Sequence, residues 1–405
     1  MYKEILSLIS QNKNVFITGQ AGTGKSHTLT RLKHDLPELV VTASTGVAAI
    51  NIHGQTIHSF AGLGYGLKSA KQIASSMRLE KKYKIKDCTL LAIDEISMLS
   101  AETFNLINTV FKLIKSTDLP FGGIQLIVIG DFLQLPPVSK DNQAINFAFE
   151  STAWKEANFI NKVLTKQYRQ QDINFLSDLN KVRLGDITTI DNTSEITIDT
   201  NNAVHLFALN RIADAHNKTK LDSLRGAEYH FQAIDIGFTS MVEKIDKDCL
   251  VPKDLYLKIG ARVMLLINKY IDLGLSNGSL GEVIDIINAS EYQHAIVKVR
   301  FDNGIEVLLG YEVVAKIIDK NKTRNQELAS REQIPLRLAY ALTIHKAQGL
   351  TLDSVCIDCN GTFECGQIYV ALSRVRSKNN LIIKNLKPNM IKANKKALAF
   401  YKELQ

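Results

Sequence analysis

Eight residues constrain this chain more than any others. Gly19-Gln20-Ala21-Gly22-Thr23-Gly24-Lys25-Ser26 stand between the apolar run Asn14–Thr18 and a helix-like stretch that begins at His27. A glycine-rich octet closing on Gly-Lys-Ser, entered from a strand and left by a helix, is a phosphate cradle. The glycines let backbone N–H groups curl around an anion. Lys25 adds a point charge, Ser26 a hydroxyl for Mg²⁺, and the helix N-terminus its partial positive charge. Gly22, Thr23, Gly24, Lys25 and Ser26 are therefore the expected nucleotide-binding residues. The motif also fixes the fold class as α/β, because such a loop works at the C-terminal edge of a parallel sheet.

Further strand-like runs follow at Leu39–Ala43, Thr89–Ile93 and Ile124–Ile129. A phosphate cradle needs a carboxylate on a neighbouring strand, and Asp94-Glu95 ends one of these runs. Asp94 is expected to reach Mg²⁺ through its water shell, and Glu95 to orient and deprotonate the attacking water. After Ile124–Ile129 comes Gly130-Asp131-Phe132-Leu133-Gln134, where the Gln134 amide is placed to sense a γ-phosphate. The stretch 56–82, rich in Gly, Ser and Lys, reads as a small insertion. From about 277 to 319 the texture changes to short alternating strands with turn signals at Asn277-Gly278 and Asn303-Gly304, the pattern of a small β-barrel.

At 405 residues the chain has room for two or three domains. Its apolar runs are short and broken by charge, well below the roughly 18 residues a membrane span needs. The first ten residues carry Glu4 and no cleavable apolar core, so no signal peptide is expected. Five cysteines suit a reducing cytosol better than a disulfide scaffold. Cys356, Cys359 and Cys365 lack a convincing fourth zinc ligand, and Cys356 and Cys359 read as buried small hydrophobes. The net charge of +8 favours polyanions as partners. It is concentrated from Arg376 onward, where eight Lys/Arg face one acid, Glu403. That tail reads equally as a nucleic-acid surface or a solvated helix face.

The motifs resemble a known set. The phosphate loop, the segments around Ser44-Thr45, Thr56–Phe60, Asp94-Glu95 and Gly130–Pro137, Gln167-Tyr168-Arg169, Leu342–Leu352 and Tyr369–Val375 stand in the order of superfamily-one DNA helicase motifs. The stretch Pro120–Leu126 looks like the signature of the Pif-one (petite integration frequency) family. The resemblance runs from Asn14 to about Arg376. It implies two RecA-like parallel-sheet domains with ATP and Mg²⁺ between them, and 5′-to-3′ movement on single-stranded DNA. A wedge is implied at about 56–82, with a Src-homology-three-like barrel in the second domain. The boundaries expected are 1–165 for the first domain, 166–264 with 331–405 for the second, and 265–330 for the barrel. Implied partners are single-stranded and forked duplex DNA, RNA–DNA hybrids and G-quadruplexes, with no membrane. A monomeric motor in a bacterial or phage cytoplasm, working in replication, repair or recombination, completes the expectation.

The same resemblance assigns roles that spacing alone leaves open. Arg169 is expected at the γ-phosphate and Arg374 as the arginine finger; either alone would read as a structural ion pair. Gly349 is expected near nucleotide. Thr45, Thr56, His58 and Ser59 match DNA-backbone positions, as do Thr343, His345, Lys346 and Gln348, and Phe60 is expected to stack on or wedge a base. Two departures stand out. The family's upstream glutamine has no counterpart at Tyr2 or Lys3, which opens the site to other nucleotides. Ser44 replaces a common proline, which is expected to loosen that loop. A translocase that remodels protein–DNA complexes without separating strands is the alternative function.

Overall fold

Alternating apolar residues build the first sheet. In β1 (Val15–Gly19), Val15 and Ile17 face one side and Phe16 the other. β2 (Val40–Ala43), β3 (Gln55–Thr56), β4 (Leu90–Asp94), β5 (Gln125–Gly130) and β6 (Ile160–Leu164) join it in the order β3-β2-β4-β5-β1-β6, every pair parallel. The expected runs are thus present, three of them shifted by one residue toward the C-terminus and β2 one residue shorter at its start. Fully buried parallel strands need cover on both faces. Ile5, Ile9, Leu29 and Leu32 supply one side, and Phe104, Phe111, Phe121 and Trp154 the other.

The computed structural model describes residues 1–45, 48–49, 52, 54–63, 69–137, 146–186, 203–249, 251–267, 269–275, 277–287, 295–319 and 326–404. Packing divides the chain into two compact units, Met1–Thr197 with Thr362–Gln405, and Ile198–Gly361. Helix Gln367–Leu372 and the C-terminal helix Lys395–Glu403 therefore belong to the first unit. Among the described residues no helix is long and apolar enough to cross a membrane.

The Pro120–Leu126 signature has a structural cause. Phe121 is buried with a left-handed backbone (φ 50°), and its N–H donates to Asn108 Oδ1 at 2.7 Å. Gly122 (φ 67°) runs against helix Ala101–Lys115; a Cβ there would lie 2.8 Å from the Phe111 carbonyl oxygen. The segment thus locks that helix under the sheet.

In the second unit, β7 (Val204–Phe207) is flanked in parallel by two strands, Ala341–Thr343 and Val355–Asp358. Cys356 and Cys359, on and just after the latter, are fully buried. Antiparallel strands begin earlier than residue 265. β8 (Tyr229–Gln232) pairs with β10 (Asp254–Leu257), and β9 (Ile234–Gly237) with β16 (Gln326–Gln333), which also pairs with β15 (Glu312–Asp319). A five-stranded antiparallel sheet links β14 (Glu306–Leu309), β13 (Ile296–Phe301), β12 (Leu280–Ile287), β11 (Arg262–Leu265) and β17 (Leu336–Leu338) in that order. Its inner face buries Val263, Val283, Val299, Phe301 and Leu336 in one cluster. Gly304 (φ 82°) turns the β13–β14 hairpin where the Asn-Gly signal stood.

Candidate nucleotide site and strand-contact residues

The phosphate loop leaves β1 at Gly19 and enters helix Lys25–Asp35 through Gly24, whose φ of 83° is left-handed. Segment 167–170 roofs it. The Tyr168 N–H donates to the Gly22 carbonyl at 2.9 Å, and a Cβ on Gly22 would meet the side-chain oxygens of Gln167 and Gln170, each at 2.8 Å. On Gly24 a Cβ would touch the Tyr168 ring at 3.3 Å. No larger residue fits at Gly22, so the glycines answer to close approach as well as to backbone angle. Lys25 folds over the loop and donates to the carbonyls of Gly19 at 2.7 Å and Gln20 at 3.0 Å. Burial lowers its pKa, opposed by the charges of Asp131 and Glu95.

Asp94 ends β4 beside this loop, and Glu95 follows it. Asp94 is buried, and its Oδ1 accepts the Glu95 N–H at 2.9 Å. Burial, then the neighbouring Glu95 charge, raises its pKa to about 7. Glu95 has a left-handed backbone, φ 51°, a conformation that costs energy in a residue other than glycine and clusters at functional sites. Ser44 binds this corner: its N–H donates to Asp94 O at 3.0 Å and its hydroxyl to Glu95 O at 2.7 Å. The expected loosening at Ser44 is therefore corrected. A proline there could make neither bond, so serine ties the loop down.

Gln134 is buried with its amide 3.5 Å from Asp131 Oδ2. Asp131 also takes a two-pronged bond from Arg183, Nε to Oδ2 at 3.0 Å and a terminal nitrogen to Oδ1 at 2.7 Å. Burial pushes the Asp131 carboxyl up, and the Arg183 charge and fork overcome it, leaving it below the usual range. Arg169 donates to Ser373 O at 3.1 Å. Arg374, 1% exposed, donates to Val370 O at 2.7 Å and Ser373 Oγ at 2.6 Å. Burial and then the nearby Arg169 lower its pKa. Both arginines belong to the same compact unit as the phosphate loop.

The arrangement fits a nucleoside triphosphate with Mg²⁺. Gly22 and Gly24 keep side chains off the loop, and the donor set is a hydroxyl, Ser26, and a buried carboxylate, Asp94, whose burial outweighs the help it gets from Lys25 and the Glu95 N–H. Those two residues would hold the ion, which supplies positive charge to the phosphate oxygens.

Comparison with known proteins fits this geometry. The sequence profile described as PIF1-like helicase matches residues 1–193, that of the DNA helicase Pif1 2B domain matches 240–286, and a further helicase profile matches 288–401. Pif1 helicase from Candida albicans shares 34% identity and superposes with a TM-score of 0.84, covering all of this chain and 98% of its own. This chain belongs to the Pif1 helicase family. The zebrafish (Danio rerio) ATP-dependent DNA helicase PIF1 is 40% identical over 99% of this chain; the chain spans 63% of that protein's length. Pif1 helicase from Bacteroides, solved with ADP-AlF3 and single-stranded DNA, is 29% identical, with a TM-score of 0.70 over 99% of this chain and 96% of its own. The Pif1 fold of two RecA-like domains with small insertions is the fold of this chain.

The threonines expected to contact a strand share a local design. Thr45 Oγ1 accepts the Ala48 N–H at 3.2 Å, Thr56 Oγ1 the Ser59 N–H at 3.2 Å, and Thr343 Oγ1 the Lys346 N–H at 3.4 Å. Each threonine caps the turn that follows it, and the hydroxyl proton is not used in that bond. His58 and Ser59 are exposed. Phe60 corrects the expectation of base stacking: it is 4% exposed and packs edge-on against Phe111 with ring centroids 5.8 Å apart. It is a core residue that anchors the short helix Ile57–Phe60. In the second unit His345 and Gly349 lie in the turn after Thr343, with Gly349 left-handed at φ 83°. Lys346 is half-buried there, and burial, then Arg337, lowers its pKa.

Four residues escaped the sequence reading. Asp131 and Tyr369 lie inside quoted motifs and had the same signal as their neighbours, a polar group beside a buried apolar run. Arg183 and Tyr401 lie outside every motif, on helices Ile173–Arg183 and Lys395–Glu403, and nothing in local sequence marks them.

Proposed function

We propose that this chain is an ATP-dependent DNA helicase motor that moves 5′ to 3′ on single-stranded DNA and opens forked duplexes. One observation carries the reading: a phosphate loop with glycines at 22 and 24, where a Cβ would run into its roof at 167–170, shares its compact unit with Asp94, Glu95, Gln134, Arg169 and Arg374. A kinase would need the loop but not the strand-contact threonines of two separate segments. The nucleotide- and DNA-bound Bacteroides relative supports the same pairing of ligands.

In this reading Lys25 and the loop amides hold the β- and γ-phosphates, and Ser26 and Asp94 hold Mg²⁺. Glu95 takes the proton of the attacking water. Gln134 senses the γ-phosphate, and Arg169 and Arg374 stabilise charge as the phosphoryl group leaves. Thr45, Thr56, His58 and Ser59 form one grip on the strand, and Thr343, His345 and Lys346 a second, with Gly349 serving the nucleotide. Two grips on parts that move against each other convert hydrolysis into steps. The moving parts we infer are 1–165 against 166–264 with 331–405, the barrel at 265–330 riding on the second. The packing units divide differently at 362–405, since they follow contact and not motion. RNA–DNA hybrids and G-quadruplexes are further proposed substrates, in replication, repair or recombination.

The test is strand separation on two duplexes, one with a 5′ tail and one with a 3′ tail, with ATP hydrolysis followed in the same tubes. Opening of the 5′-tailed substrate alone is expected, and a Glu95→Gln variant should lose it together with 10²-fold or more of the hydrolysis. Strand-stimulated hydrolysis with neither duplex opened would instead favour a translocase.

A further inference from the structure

The C-terminal helix Lys395–Glu403 reaches the nucleotide site through one hydroxyl. Tyr401 Oη lies 2.6 Å from Thr18 Oγ1 and accepts the Phe132 N–H at 3.1 Å. Thr18 precedes Gly19, where β1 becomes the phosphate loop. Phe132 follows Asp131, where β5 becomes the segment bearing Gln134. β1 and β5 are sheet neighbours, with Thr18 opposite Gly130 in the register. One phenol thus joins the exits of the two strands that carry the loop and the γ-phosphate sensor. Its ring also lies 5.0 Å from the Arg183 guanidinium, which forks Asp131.

We infer that Tyr401 is a positioning residue for ATP hydrolysis, holding the phosphate loop and Gln134 at a fixed separation. The inference rests on the helicase reading above. The hydroxyl suits the task chemically. It accepts from a backbone N–H that no strand partner takes, and it can donate to Thr18 at the same time. Burial, followed by the Asp131 charge, keeps the phenol protonated at any working pH. The helix does not depend on this bond for its seat. Asn394 caps it at Lys396 and Ala397, and Phe400 stacks on Phe149 with centroids 4.3 Å apart. Gly19, Gln20, Leu164, Asn180, Arg183 and Tyr401 border a cavity of about 380 Å³. β1 is held at the loop base by its pairing with β5 and β6, and the hydroxyl bonds add a tie between the two strand exits beyond that ladder.

Tyr401→Phe removes the hydroxyl and keeps the ring over Arg183. Hydrogen exchange at the Phe132 amide is expected to quicken at least about ten-fold, because its acceptor is gone. Turnover of ATP with single-stranded DNA should fall about 5–10-fold, the effect of one lost hydrogen bond, with KM for ATP within about two-fold. Thr18→Val should give a similar loss, and the double variant no more than either single one, since both cut the same tie. Unchanged exchange at Phe132, or losses that multiply in the double variant, would overturn the inference. If the unaltered chain hydrolyses no ATP, the helicase reading fails, and the exchange comparison still decides whether the tie holds the two strand exits.

Discussion

The Tyr369 hydroxyl accepts the Ala21 N–H at 2.8 Å, across 348 positions of sequence. Ala21 is near the apex of the phosphate loop, and Tyr369 opens the segment that ends in Arg374. Tyr369 is buried, and burial, then the Asp131 charge, pushes its pKa up to about 12. The phenol is therefore neutral and able to accept. The contact means that the loop and the arginine segment share a hydrogen bond, so displacement of either is felt by the other. Tyr369→Phe should raise KM for ATP about 5–10-fold, the cost of one lost bond to a loop amide, while leaving the melting temperature within a few degrees. An unaltered KM measured by steady-state hydrolysis would show that the loop holds its shape without Tyr369.

Arg374 sets catalysis against stability. Its guanidinium is buried, and burial and then the nearby Arg169 disfavour its charge, opposed in part by Tyr369 and Glu95. Burying a cation beside a second cation costs on the order of several kcal/mol, which Glu95 offsets only in part. Replacing it by Met keeps the volume and removes the charge. Arg374→Met is expected to raise the melting temperature by a few degrees and to lower ATP hydrolysis by about 10³-fold or more. A variant that loses stability together with activity would assign Arg374 a structural role instead.

Asp94 gives a pH signature. Its folded pKa is raised above that of an unfolded carboxyl, so between about pH 4 and 7 the native chain keeps a proton that the unfolded chain has released. Stability contributed by this group is complete below pH 4 and is lost as pH rises toward 7. Asparagine at 94 does not titrate. The melting temperature of Asp94→Asn should match the parent near pH 4.5 and exceed it increasingly up to pH 8, by an amount worth on the order of a few kcal/mol. The comparison is made in chelator without nucleotide. A constant gap across that range would mean that the carboxylate is charged throughout.

The parts legible in sequence were those whose chemistry is local. Gly22 and Gly24 announce a loop because their backbone angles and close neighbours forbid side chains, and β1, β4 and β5 announce themselves as short apolar runs. The PIF1-like order of motifs then supplied expected roles for Arg169 and Arg374 that no spacing could give. Burial was harder to read. Phe60 stands in a motif among polar neighbours, yet the helix turn carrying it directs its ring onto Phe111. Arg183 and Tyr401 meet Asp131 and Thr18 through tertiary packing across 52 and 383 positions, and no local pattern encodes such a meeting.

The threonines proposed to contact the strand can be separated from the cations by salt. Thr56 caps its own turn through one lone pair and has a hydroxyl proton to give to a phosphate oxygen. Thr56→Val removes both functions, and single-stranded DNA affinity should fall about 5–10-fold; Thr56→Ser restores cap and proton and should return it to within about two-fold. A hydroxyl displaces no counterion, so neither change should alter the slope of log affinity against log salt. Lys346 does displace one if it meets a phosphate. Lys346→Ala should therefore reduce the magnitude of that slope by about 0.7, the value for one phosphate on a single strand. Fluorescence anisotropy of a labelled oligonucleotide between roughly 50 and 200 mM salt covers the range in which such slopes are read. A slope that changes with Thr56→Val, or one indifferent to Lys346→Ala, would reverse the assignment of which residue neutralises charge and which only positions the strand.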